Sequence, residues 1–195
     1  MNADATSPAS VRIARWVSII GHPFVLVPLT TLYAVSRKSG LGTAAGSAGA
    51  VALAAVAPVL ALVAIGVRRS AWSDHDVSDR EQRRGFYRAL FVVLPAGSIA
   101  LWLLQPTLRS GIVATWGLIL ASMAANRFVK SSLHVAFAAF CAASVPLPAA
   151  GAVAAGLAVI AIAWSRLALR RHTLVEVALG AALGTVAGLS LRLWG

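Results

Sequence analysis

Residues 44–67 read AAGSAGAVALAAVAPVLALVAIGV, a run without a single charged side chain and dominated by Ala, Val and Leu. The hydrocarbon core of a bilayer is about 30 Å thick, and about 20 helical residues cross it. The run therefore predicts a transmembrane helix. It lacks the strict apolar/polar alternation of a spanning β-strand. Working outward, similar runs fall at about 16–35, 88–105, 110–126, 133–147, 149–164 and 173–194. The two around Leu147 are short and broken by Pro146 and Pro148, so the alternatives to seven helices are six, or one re-entrant segment. The predicted fold is all-α: a multi-pass transmembrane bundle of six or seven helices. A short polar tail over 1–15 precedes a single transmembrane domain over 16–195. Gly42, Gly46, Gly151 and Gly156 are small residues expected to let helices pack closely.

Composition agrees. Hydrophobic residues make up 59% of the 195 residues, charged residues 12%, and the mean hydropathy is +0.82. A soluble domain carries roughly twice that charged fraction. The net charge of +11 does not form one patch, because the basic residues sit between the apolar runs. That distribution suits loops at a membrane surface and excludes nucleic-acid binding as the reading of the high pI. Cys141 is the only cysteine, so no intrachain disulfide forms. Residues 1–11 are polar and the first run shows no outstanding small-residue cleavage site, so no cleaved signal peptide is expected.

With seven spans, the N-terminus shares a side with residues 68–88, 127–133 and 165–172. That side holds all of the 17 Lys and Arg except Arg37, Lys38, Arg109 and Arg192. The positive-inside tendency then predicts cytoplasmic loops in a multi-pass protein of the cell membrane. An anion-binding site also needs arginine on whichever side it faces, and without Arg80, Arg83, Arg84, Lys130 and Arg166 the bias persists in weaker form.

Acidic residues are few, and four of the six crowd into the first loop as Asp74, Asp76, Asp79 and Glu81. The sharpest chemistry lies in the last loop, Ser165-Arg166-Leu167-Ala168-Leu169-Arg170-Arg171-His172-Thr173-Leu174-Val175-Glu176. His172 and Glu176 stand at i and i+4, which places them on one face of a helix. A carboxylate there accepts the imidazole N–H, fixes the tautomer and leaves the other nitrogen to attack. Arg166 offers a fork of donors suited to phosphate oxygens. Taken singly, Arg166 and His172 read equally as interfacial residues snorkelling to headgroups. The middle loop, Lys130-Ser131-Ser132-Leu133-His134, sets a hydroxyl and an imidazole beside a lysine, a set able to bind an anion and protonate a leaving group. In the first loop Arg80 and Arg83 or Arg84 share a helix face and form a candidate phosphate clamp, although a solvated loop with internal Asp–Arg pairs explains them as well.

Together the three loops, at about 74–88, 130–134 and 165–176, resemble the type 2 phosphatidic acid phosphatase superfamily, which includes the vanadium haloperoxidases. The likeness rests on Ser165-Arg166-x5-His172-x3-Glu176, on Ser132-x-His134 upstream and on a basic segment before that, and it covers roughly residues 68–190. It implies a metal-independent phosphatase without cofactor. His172 would be the nucleophile that becomes a phosphohistidine, Glu176 its orienting partner and His134 the acid for the leaving oxygen. Arg166 and Ser132 would hold the phosphoryl oxygens, helped by Lys130 and by Arg80, Arg83 and Arg84. Three departures stand out. Arg84 precedes Gly85 where the family has proline, Leu133 replaces the glycine of its second motif, and Glu176 replaces its aspartate.

The expected partners are a lipid phosphate substrate and the surrounding membrane lipids; self-association into a homo-oligomer stays open. Two other readings compete. One is an intramembrane prenyltransferase of the UbiA type, with Asp74, Asp76 and Asp79 as one magnesium-binding loop. The other is a non-catalytic transporter or scaffold, which leaves the motifs unexplained.

Overall fold

The structure is a computed structural model and describes residues 8–73, 77 and 79–194. It is helical throughout, with α1 (Pro8–Ile20), α2 (Pro23–Ser39), α3 (Leu41–Val51), α4 (Ala57–Arg68), α5 (Arg80–Leu104), α6 (Arg109–Ala125), α7 (Leu133–Ser144), α8 (Ala149–Ala168) and α9 (Leu174–Trp194), and no strand among the described residues. α3 and α4 run on as one segment, Leu41–Arg68. This segment, α5, Pro106–Ala125, α8 and α9 are each long and apolar enough to cross a membrane. α1 and α2 meet at a 47° bend and make a sixth span if counted as one. Large apolar side chains such as Leu53, Val92, Leu104, Leu157 and Val186 are exposed on these helices, as a lipid-facing bundle requires.

Two compact units divide the chain. One takes the residues up to Leu26 together with Ser131–Leu193, and the other takes Val27–Lys130.

In the second unit, Pro58 cannot donate to the Ala54 carbonyl four residues earlier, and its ring would collide with it. The helix relaxes into a π turn over Ala52–Val56. The displaced Ala54 carbonyl presses on α5 at Gly97, where any side chain would collide with it. Trp72, just past α4, lies against Gly66 and meets Phe86 of α5 edge-on with ring centroids 5.7 Å apart.

In the first unit, α1 and α8 pack along Ser18–Arg166 and Gly21–Ile162, which makes them antiparallel. α9 presents Gly180, Gly184 and Gly188 to the carbonyls of Ser132, Ala136 and Phe140 in turn. Both series ascend together, so α7 and α9 are parallel and begin at the same level. α7 has only 12 residues, about 18 Å of rise. The chain then runs extended at Val145 and Pro148 before α8 returns. α7 is thus shorter than the roughly 20 residues that cross a bilayer, and it stands apart from the five helices long and apolar enough to do so among the described residues.

Several expectations need correction. Helix α1 reaches back to Pro8, through part of the segment read as a polar tail, because Ala14, Ser18 and Gly21 form a face buried against α8. The glycines set against a neighbouring helix are Gly21, Gly97, Gly180, Gly184 and Gly188, while Gly66 meets Trp72 of the loop that follows its own helix. Gly42, Gly46 and Gly156 meet nothing within 4 Å, and Gly151 touches only the adjoining Leu147 and Pro148.

Candidate functional site

The last turn of α8 sets the geometry. Leu169 caps the helix, Arg170 takes the left-handed conformation (φ 52), and the Arg170 and Arg171 amides donate back to the Leu167 and Arg166 carbonyls at 2.9 and 3.0 Å. This is a Schellman turn with arginine where glycine usually stands. Holding a non-glycine residue there costs about 1 kcal/mol or more. The turn delivers His172 to the mouth of α9.

His172 lies one residue before Thr173, which caps α9, and so is not on the helix itself. Thr173 and Glu176 form a capping box. The Thr173 amide donates to Glu176 Oε2 at 3.1 Å, and the Glu176 amide meets Thr173 Oγ1 at 3.4 Å. The same Oε2 stands 2.9 Å from His172 Nδ1. With Nδ1 assigned as the donor to a carboxylate, the lone pair of the neutral ring sits on Nε2. The i, i+4 spacing is real, but the partnership comes from the cap and not from a shared helical face. The His172 side chain is 1% exposed.

Arg166 is itself buried, 1% exposed, and its Nη1 donates to Ser18 Oγ at 2.7 Å. Ser165 is buried with its hydroxyl turned to the Ile162 carbonyl at 2.7 Å. Burying a guanidinium is expensive unless strong acceptors surround it.

Ser132 caps α7 by position only. Its side chain makes no cap bond, and Oγ is buried without a hydrogen-bond partner among the described residues. Its amide donates to the Glu176 carbonyl at 3.1 Å, which pins the start of α7 to the start of α9. The first-turn amides of α7 and the positive end of its dipole are therefore offered together with a spare hydroxyl. Two residues on, His134 is buried and meets His22 at 4.6 Å between ring centroids, with the rings perpendicular.

These contacts close a circuit. Arg166 touches Ser18; Ser18 and His22 are four residues apart; His22 meets His134; Ser132 bonds Glu176; Glu176 bonds His172; and the Schellman turn returns to Arg166. Five of the sequence candidates, His172, His134, Glu176, Arg166 and Ser132, thus lie at one end of a single unit.

No family model, curated protein or solved structure matches this chain.

The remaining candidates belong to the second unit. Arg83 is buried, 3% exposed, and its Nε donates to the Val77 carbonyl at 3.2 Å, bracing a residue held at φ 46. Arg84 is exposed and pairs with Glu81 at 3.0 Å, one turn away on the same helix. The pair is solvated, and its acidic member is Glu81 rather than one of the loop aspartates. Arg80 opens α5, and its side chain lies outside the described residues, as do Asp74, His75 and Asp76. Lys130 sits half-buried just before the Ser131-Ser132 pair. Asp79 caps α5, accepting the Glu81 and Gln82 amides at 2.9 Å each. Among the described residues no group of three or more His, Cys, Asp or Glu is arranged to hold a metal ion.

Sequence reasoning missed Ser18 and His22. The available signal was a histidine at membrane depth inside Gly21-His22-Pro23, a break in the first apolar run.

Proposed function

We propose that the protein is a membrane-embedded phosphatase that hydrolyses a lipid phosphate through a phosphohistidine at His172. The observation that carries this reading is the closed circuit. A histidine oriented by a carboxylate shares one end of a helical unit with a buried arginine, a helix start without a side-chain cap and a second histidine.

Each group has a step. Arg166, Ser132 and the first amides of α7 hold the phosphoryl oxygens and stabilise the charge that builds there. His172 Nε2 attacks phosphorus. The P–O bond to the lipid breaks, its electron pair stays on the lipid oxygen, and His134 supplies the proton. Water then attacks the phosphohistidine and gives its proton to His134. Inorganic phosphate leaves and His172 is restored. Glu176 keeps Nδ1 protonated throughout and offsets the positive charge on the ring. The substrate class is a polyprenyl phosphate or diphosphate, a phosphorylated polyprenyl sugar, or a phosphatidate. Its tail would lie among the exposed apolar faces. The Lys/Arg asymmetry favours a cytoplasmic site.

The test is phosphate release by purified protein in detergent from a panel of these lipids, with and without EDTA. Release that is insensitive to EDTA and lost in His172→Ala is the expected result. Absence of release throughout, or phosphate release abolished by EDTA, contradicts it.

A further inference from the structure

The break between α1 and α2 needs a cause. An unbroken apolar helix crosses a membrane without exposing backbone groups, whereas Gly21-His22-Pro23 interrupts one. Pro23 begins α2 at the position where its missing N–H is no loss, and His22 stands at the cap. His22 Nδ1 accepts the Phe24 amide at 3.2 Å, and the ring leans on Phe24 with centroids 4.3 Å apart.

Capping does not account for an imidazole, because Asn, Asp and Ser cap better and cost less to place. What the imidazole adds is reach: its ring meets that of His134 on α7. An Nδ1 that accepts a backbone amide carries no proton, so the neutral ring is the Nε2–H tautomer. Four residues earlier, near the end of α1, the buried Ser18 accepts from Arg166. Two polar residues, four apart, thus each touch one member of the site.

We propose that the α1–α2 junction is a positioning element of the site, with His22 fixing the ring of His134 and Ser18 fixing the guanidinium of Arg166. The chemical consequence rests on the phosphatase reading; the contacts do not. His22 and Ser18 are positioning residues and act through their partners. A neutral ring at His22 leaves the transferable proton on His134 and holds that ring at a single angle to the phosphoryl group. Displacing a reacting group by about 1 Å costs on the order of 100-fold in rate.

His22→Asn separates the two roles, since asparagine keeps the cap acceptor and removes the ring. It should slow kcat on a lipid monophosphate by about 10- to 100-fold, with KM little changed and a much smaller loss on p-nitrophenyl phosphate, whose leaving group needs no proton. Combined with His134→Ala it should add nothing to the single loss. Ser18→Ala should act mainly on KM, with Ser18→Thr restoring it. Unchanged rates in His22→Asn, equal losses on the two substrates, or additive losses in the double variant would overturn the proposal. If the wild-type protein releases no phosphate at all, the phosphatase reading falls and positioning is judged by the ¹⁵N signals of the His134 ring. Sharp signals that broaden or split in His22→Asn uphold it, and unchanged line widths overturn it.

Discussion

Glu176 binds His172 Nδ1 at 2.9 Å with the same carboxylate oxygen that closes the cap on Thr173. The residue is therefore both an end to a helix and a brace for an imidazole, and substitution can separate the two duties. Glu176→Gln keeps a capping-box side chain but loses the charge and the fixed tautomer. Phosphate release should fall by about 100-fold or more, while the melting temperature in detergent moves little. Glu176→Ala should lose both. A Glu176→Gln protein with near-normal turnover would reduce Glu176 to a helix cap.

The parallel pairing of α7 with α9 is what sets Ser132 beside Glu176, and it depends on three glycines. A methyl group at 184 would collide with the Ala136 carbonyl oxygen. Gly184→Ala should destabilise by about 1–3 kcal/mol and lower phosphate release in step. Gly156 meets nothing within 4 Å, so Gly156→Ala should be neutral or gain up to about 1 kcal/mol of helix propensity. Paired thermal melts and rates check this, and equal behaviour of the two variants would contradict the assigned register.

Why one glycine packs and another does not was hidden in the sequence. In a lipid-facing bundle both faces of a helix are apolar, so no polar stripe marks the inside. The spans, by contrast, were plain, because length and uncharged composition are what a bilayer selects. Of the candidate site, His172, Glu176, Arg166, Ser132 and His134 were named in the sequence from short motifs and the family resemblance, and the structure gathers them in one unit. Ser18 and His22 were not, because Arg166 meets Ser18 across 148 positions of sequence. The contrast between buried Arg83 and exposed Arg84 was equally hidden, since one helical step decides which points inward.

That contrast gives a prediction. Arg84→Ala removes an exposed pair and should change stability by less than about 1 kcal/mol, with turnover near normal. Arg83→Ala takes the donor from the Val77 carbonyl and should cost about 1–3 kcal/mol. Melting curves of the two variants decide it, and a larger loss for Arg84→Ala would overturn the assignment.

His134 and His172 have different assigned tasks and should fail differently. A lipid alkoxide needs a proton as its bond to phosphorus breaks, and general acid help is worth about 10²–10⁴-fold. p-Nitrophenolate needs little help. His134→Ala should therefore lose far more rate on a lipid monophosphate than on p-nitrophenyl phosphate, whereas His172→Ala should lose both alike. Equal losses for His134→Ala would leave His134 as a structural or phosphate-binding group.

In the proposed reaction phosphorus becomes bonded to His172 Nε2. Rapid acid-free quenching of the protein during turnover of a ³²P-labelled lipid phosphate, followed by peptide mapping, tests it directly. An acid-labile, base-stable label is expected on the peptide carrying His172, absent in His172→Ala and retained in His134→Ala when p-nitrophenyl [³²P]phosphate is the donor. Turnover without any label on that peptide, or the same label in His172→Ala, would contradict it.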